Sequence, residues 1–291
     1  GPSLLVRFVW SLILNAGLSL GEIIMSLITG STALLADGLN NLDDTAALIL
    51  SIYSERIAKK PPDKLHTFGH ERMDVVAGFA KGCFLLVAAV LIVYKAIYCL
   101  LSPVEIPGLP VLITASLALV VNLLSALWLK QDACHSLNAK GTYLCMVYDA
   151  VGSVAVMISA MLTLLFGFAY FDIAASVVIV FFMVKSGTSL LRDSVSIFMQ
   201  TAPEGFDYDA FEEEVSSIPN VHGVGDIHVW CHAPGEFHLT CRVGVDITDS
   251  CDCDRITKQV ESLCRTKFNI QHCTVQLVYD STDFTRFCKS G

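Results

Sequence analysis

Charge is scarce in this chain. Only 16% of its 291 residues are Asp, Glu, Lys or Arg, against 54% hydrophobic residues and a mean hydropathy of +0.59. That balance excludes an ordinary soluble globule and points to a membrane protein with a soluble part. Histidine is absent from the long apolar stretches, which argues against a membrane-buried Cys/His hydrolytic dyad. No GxxxxGK[ST] phosphate loop is present, so nothing suggests that ATP drives the protein. No CxxC pair occurs, and the eleven cysteines are an odd number, which argues against a disulfide framework. A cleavable signal is not expected either, because the first apolar segment is too long for one and lacks a small-residue cleavage site. Gly1-Pro2-Ser3 reads as an appended remnant and is set aside.

Six apolar segments are long enough to cross about 30 Å of hydrocarbon. They run over residues 4–29, 33–58, 73–101, 110–130, 141–167 and 172–199. Basic residues are confined to alternate connections. Arg56, Lys59, Lys60, Lys64 and Arg72 surround the second connection, and Lys130 and Lys140 the fourth, while the other three carry no Lys or Arg. The positive-inside rule then places both termini in the cytoplasm, which an even number of spans allows.

The character changes after Pro203. Residues 203–291 hold fifteen acidic and seven basic side chains, a net charge of −8 out of −9 for the whole chain. So acidic a segment argues against nucleic acid or anionic lipid as its partner. Its pattern predicts helix (209–218), strand (224–232), strand (236–246), helix (253–268) and strand (273–279). Pro234-Gly235 supplies the turn between the first two strands. The expectation is a six-helix transmembrane domain over residues 4–200 and a small α+β domain over 203–291, packed on one sheet face.

Polar groups inside the apolar segments carry the chemistry. Asn40 and Asp44 stand one helical turn apart in the second segment, and Cys145 and Asp149 repeat that spacing in the fifth. Each such group costs roughly 2.5 kcal/mol or more at the bilayer centre. Asp44 lies about 18 Å along the helix from Ser31-Thr32, close to the midplane, so a solvated surface position does not account for it. Two carboxylates, an amide oxygen and a thiol make four ligands, the number a tetrahedral transition-metal site needs. Oxygen-rich sets suit Mn²⁺, whereas a thiolate favours Zn²⁺, Fe²⁺ or Cd²⁺, so the cargo stays open between Zn²⁺ and Mn²⁺. Bland alternatives exist for each residue: Asn40 as interhelical hydrogen-bonding glue, Cys145 as a small buried hydrophobe. Glu22 is expected to face the bundle, Lys81, Lys95 and Lys185 to snorkel towards an interface, and Asp172 to meet water.

The run SLITGSTALLADGLNNLDD, followed by PPDKLHTFGHERMD, resembles the cation diffusion facilitators, a family of metal-ion/proton antiporters. The resemblance covers essentially the whole chain. It implies a six-helix transmembrane domain, a cytoplasmic domain similar to a metallochaperone, and a homodimer in the lipid bilayer. It also implies that Asn40, Asp44, Cys145 and Asp149 form the transport site, with Asp37 and Ser153 at neighbouring polar positions. Family members more often carry His or Asp where Asn40 and Cys145 stand. The resemblance further implies a linker site at Asp63, His66 and His70, and, because Gln276 and Val278 stand where relatives often carry His and an acid, a reduced tail site at His228 and Cys241, or none. His222 and His272 read as plain surface or core residues. The function implied is proton-coupled efflux of a divalent metal, with no enzymatic activity and no resident cofactor. A metal sensor without transport, and a passive channel, are the rivals that flux measurements distinguish.

Overall fold

A computed structural model describes the backbone of residues 4–58, 60–102, 105–130, 137–246 and 250–279; the side chains of 4–8, 51, 52, 54, 55, 58, 128, 129, 137–145, 250 and 251 lie outside the description. Six long helices come first: α1 (Leu4–Thr29), α2 (Thr32–Ala58), α3 (Met73–Leu101), α4 (Gly108–Leu129), α5 (Leu137–Phe166) and α6 (Tyr170–Phe198). The second part holds α7 (Tyr208–Ser216), β1 (Val221–Ala233), β2 (Glu236–Val245), α8 (Ser250–Thr266) and β3 (His272–Val278). The chain divides into two compact units between Arg192 and Asp193, inside α6 and earlier than the boundary expected after residue 200. The segment after α6 is tied to the second unit, where the Cys231 N–H donates to the Thr201 carbonyl at 3.3 Å.

Of the six helices, α1, α3, α4, α5 and α6 are long and apolar enough to cross a membrane among the described residues. The helix α2 falls short of that standard, because Asp37, Asp43 and Asp44 crowd one stretch of it. The expectation of six spans is corrected to that extent. The five apolar helices turn large aliphatic and aromatic side chains outward, among them Leu27, Val90, Tyr94, Leu117, Phe181 and Phe182, all more than half exposed. An outside richer in large apolar groups than the inside is the surface that hydrocarbon solvates.

The inside is small and polar. Ala33, Ala36, Ala88, Ala89, Ala115 and Ala160 are among the core residues of the bundle, and short side chains of this kind let helix backbones approach closely. The helix α2 packs against α1, α3 and α5, and α4 packs against α1 and α5. Glycine is required where α5 meets α2: a Cβ on Gly152 would stand 2.8 Å from Asp37 Oδ1. Several hydroxyls are hidden by bonding back to their own helix, as Ser19 does to the Asn15 carbonyl and Thr29 to that of Met25.

The start of α2 is held from the opposite end of the membrane domain's sequence. Thr32 N–H and Ala33 N–H donate to Asp172 Oδ2 at 2.6 and 3.1 Å, and the Thr32 and Ser31 hydroxyls donate to the same carboxylate. The exposed helix donors thus meet a negative charge, which also suits the helix dipole. Asp172 is buried, not water-facing as expected from its place at the head of α6.

In the second unit, β1 and β2 pair antiparallel and β2 and β3 parallel, giving the order β1-β2-β3. Alternation puts Leu239, Cys241, Val243 and Val245 on the face covered by α7 and α8, where they pack with Phe211, Ile256, Val260 and Ile270. Asp207 caps α7 by accepting from the Ala210 N–H at 3.0 Å. A register shift between Gly225 and His228, with Asp226 at φ 51°, interrupts the β1–β2 ladder.

Candidate metal centre

The two polar helical turns singled out in the sequence face one another. Asn40 Nδ2 on α2 donates to Asp149 Oδ1 on α5 at 3.0 Å. The other oxygen, Asp149 Oδ2, is buried and has no hydrogen-bond donor among the described residues. The Asp44 carboxyl neighbours Asp149. Two carboxylates cannot donate to each other, so their repulsion has to be offset by positive charge or a proton, and the Lys81 ammonium stands on the Asp44 side at 2.9 Å. Asp149 is essentially inaccessible, while Asp44 keeps 17% of its side-chain surface, so the pair spans the edge between packed interior and accessible space. Cys145 stands on α5 one turn before Asp149, and its side chain lies outside the described residues.

A second polar layer backs the pair. Ser153 Oγ donates to Asp37 Oδ2 at 2.9 Å, and Asn122 Nδ2 on α4 donates to Ser153 at 3.5 Å. Asn41 Nδ2 donates to Glu22 Oε2 on α1 at 2.7 Å, and the Asp37 carboxyl neighbours Glu22. Glu22, Asp37, Asn41, Asn122 and Ser153 are all buried. The bundle-facing expectation for Glu22 thus corresponds to a specific partner on α2.

Lys81 was missed as part of this region. Instead of snorkelling to an interface, its Nζ lies 2.9 Å from Asp44 Oδ1 and 3.4 Å from Asp43 Oδ2. Helical spacing alone cannot reveal this, because α2 and α3 are joined through the linker and their relative rotation is set by packing. Lys95 behaves differently, donating to the Ser26 and Ser31 carbonyls between α1 and α2. Lys185 is exposed on α6, in keeping with snorkelling.

The linker residues also converge. One ligand atom each from Asp63, His66 and His70 lies within 4.8 Å of the others. His66 Nδ1 stands 3.2 Å from Asp63 Oδ1, His70 Nε2 3.9 Å from Asp63 Oδ2, and the two rings are 4.2 Å apart. The backbone N–H groups of His66 and Leu65 both donate to Asp63 Oδ1, and these bonds pull its carboxyl down to about 2. The aspartate therefore fixes the turn and presents a permanent charge to both imidazoles.

The tail pair is not assembled. His228 is exposed and bonds Asp226 Oδ1 at 3.0 Å, beside Arg242, which donates to Gln276. Cys241 lies on the other face of the sheet, buried in the core. Because His228 pairs across the ladder with Thr240, the next residue on β2 must point the opposite way. The joint His228/Cys241 site is corrected on that ground. Cys241 instead meets Cys264 and Cys273, whose sulfurs are 3.3 Å apart. Hydrogen bonding to Cys273 pushes the Cys241 and Cys264 thiols above the ordinary range and holds Cys273 below it. The imidazoles of His232, His238 and His272 form a row across all three strands, with ring separations of 4.8 and 4.9 Å. His272 had read as an ordinary surface or core residue, and only strand register brings it beside His238.

A bundle of apolar helices enclosing a carboxylate pair, followed in the chain by an acidic α+β domain, defines a membrane protein that handles cations. Residues 8–199 match the cation efflux transmembrane domain, and residues 203–277 match the cation efflux protein cytoplasmic domain. The chain belongs to the cation efflux family, a family of membrane transporters and not of enzymes. It is 30% identical over 266 residues to the metal cation efflux system protein CzcD of Cupriavidus metallidurans, spanning 91% of this chain and 84% of that one. The zinc transporter ZitB of Escherichia coli is 30% identical over 276 residues, 94% and 87% of the two chains. The cadmium, cobalt and zinc/H(+)-K(+) antiporter of Bacillus subtilis is 29% identical over 272 residues, 92% and 86%.

Proposed function

We propose that this chain exports a divalent transition-metal ion in exchange for protons, with the ion held by Asn40, Asp44, Cys145 and Asp149 between α2 and α5. The observation that carries the reading is the buried Asp149 carboxylate, which neighbours Asp44 and, among the described residues, receives a single donor, from Asn40. Asn40 would offer its Oδ1 to the ion while its amide nitrogen keeps Asp149 oriented. Cys145, one turn from Asp149, would add a thiolate. Metal ligands must be deprotonated, so loading metal expels protons and loading protons expels metal. Alternating access, with the bundle rocking around a fixed site, converts that competition into exchange.

Zinc and manganese both fit a mixed oxygen and sulfur set, with Fe²⁺ and Cd²⁺ behind. The names of the relatives, which carry zinc, cadmium and cobalt, favour zinc. One of those names also carries exchange with protons and potassium, which supports ion-coupled transport here. The helix α2 serves as the sixth crossing in this reading, because Asp37 and Asp43 are buried within the bundle and need not face lipid. The basic second and fourth connections support a reading with both termini and the tail in the cytoplasm. Residues 4–200 then form the transport domain, and residues 203–291 the tail, through which two copies associate as a homodimer. The linker trio Asp63, His66 and His70 is a second, surface metal site in the same reading.

Purified chain in proteoliposomes tests the coupling. An imposed pH gradient is expected to drive Zn²⁺ or Mn²⁺ against its own gradient. Flux that follows the metal gradient alone and ignores pH would instead mark a passive channel.

A further inference from the structure

We propose that Lys81 is a tethered counter-cation of the transport site: its ammonium competes with the metal for Asp44 and passes to Asp43 when the metal loads. This inference rests on the metal site being where the preceding section puts it. The geometry is a three-point contact. Lys81 Nζ lies 2.9 Å from Asp44 Oδ1, a candidate ligand, and 3.4 Å from Asp43 Oδ2, which is adjacent in sequence but outside the ligand set. Asp43 is almost fully buried, and Lys81 keeps 23% of its side-chain surface, so the group sits in a medium that screens charge poorly. The position of Lys81 is set by packing: α3 is pressed onto α6 at the next residue, where a Cβ on Gly82 would stand 3.0 Å from the Gly187 carbonyl oxygen. A long stem on α3 can move between two carboxylates on α2 without moving either helix.

The electrostatics give the exchange a direction. A divalent ion bound by Asp44 and Asp149 neutralises both carboxylates. An ammonium still resting on Asp44 would then repel the ion at contact distance. Asp43 offers a second, unliganded carboxylate within reach, so the ammonium has somewhere to go. Lys81 weakens metal binding in this arrangement, and Asp43 relieves part of that cost. A weaker-binding carrier also releases its cargo faster.

Two substitutions therefore have opposite signs. Equilibrium dialysis of the purified full chain with Zn²⁺, and separately Mn²⁺, is done in a His66→Ala/His70→Ala background that silences the linker. Lys81→Gln is expected to bind the ion at least about tenfold more tightly, equivalent to 1.4 kcal/mol. In proteoliposomes it should lower KM and kcat together, and Lys81→Arg should restore both. Asp43→Asn, which removes the resting place, is expected to bind several-fold more weakly. A merely structural defect would weaken binding in every case. Unchanged or weaker binding by Lys81→Gln overturns the inference. Asp149→Ala in the same assay separates the two levels of the argument. If it loses binding while Lys81→Gln matches the parent, only the role of Lys81 fails; if it binds normally, the metal lies elsewhere and the role of Lys81 falls with the site.

Discussion

Asn40 and Asp149 are hydrogen-bonded at 3.0 Å across the interface of α2 and α5, although 109 residues separate them in sequence. The amide donates, so the carboxylate is oriented by a neutral group, and the charge on Asp149 stays available to a cation. An imidazole at position 40 would present a nitrogen ligand in place of an amide oxygen, and an imidazole at position 145 would replace a sulfur. Asn40→His is therefore expected to shift relative flux towards Zn²⁺ and away from Mn²⁺, and Cys145→His, which gives up the softer thiolate, to shift it the other way. Competition flux with both ions reads this directly, and an unchanged ratio would remove positions 40 and 145 from the ligand set.

Asp172 supplies the acceptors for the first turn of α2. Asp172→Ala is expected to lower the thermal stability of the membrane domain by about 1–2 kcal/mol, in the upper range for a lost helix cap. Asp172→Asn keeps an acceptor and should lose less. Thermal unfolding in detergent measures both. Equal stability of all three proteins would show that the α2 terminus is satisfied some other way.

The linker turn depends on a charged Asp63. Its carboxyl is pulled down to about 2 by the N–H groups of His66 and Leu65, below its ordinary value of 3.8. A group lowered on folding stabilises the turn fully above its unfolded value and loses that effect as the pH falls through its folded one. Hydrogen exchange at the Leu65 and His66 amides should therefore show constant protection above about pH 4 and declining protection towards pH 2. Asp63→Asn should expose both amides at every pH. Protection that survives in that variant would contradict the role given to the carboxylate.

Cys241 belongs to the core of the tail domain. Cys241→Ala is expected to destabilise that domain by about 1 kcal/mol while leaving the number of bound metal ions per chain unchanged. Loss of one metal equivalent would return Cys241 to the list of ligands.

These outcomes separate what sequence carries from what packing decides. Spacing one turn apart put Asn40 with Asp44, and Cys145 with Asp149, on single helix faces, because helical periodicity is local. The order of helices and strands was legible for the same reason, and the tail elements differ from expectation only by a few residues at their ends. The roles of Asp172 and Lys81 were not legible. Each depends on a partner on another helix, and a cap or an ion pair between helices leaves no periodic trace. The pairing of His228 with Cys241 failed because one residue of offset on β2 exchanges the exposed and buried faces of a sheet. Asp37, Asp43 and Asp44 are also what keep α2 from reading as a membrane span by apolarity.

Metal-driven flux in proteoliposomes made with Asp44→Ala and with Asp149→Ala tests the central claim most directly. Both variants, folded and inserted like the parent, are expected to lose metal/proton exchange almost completely, because each removes a charge that the buried cation requires. Full exchange by both would show that the ion does not pass between α2 and α5.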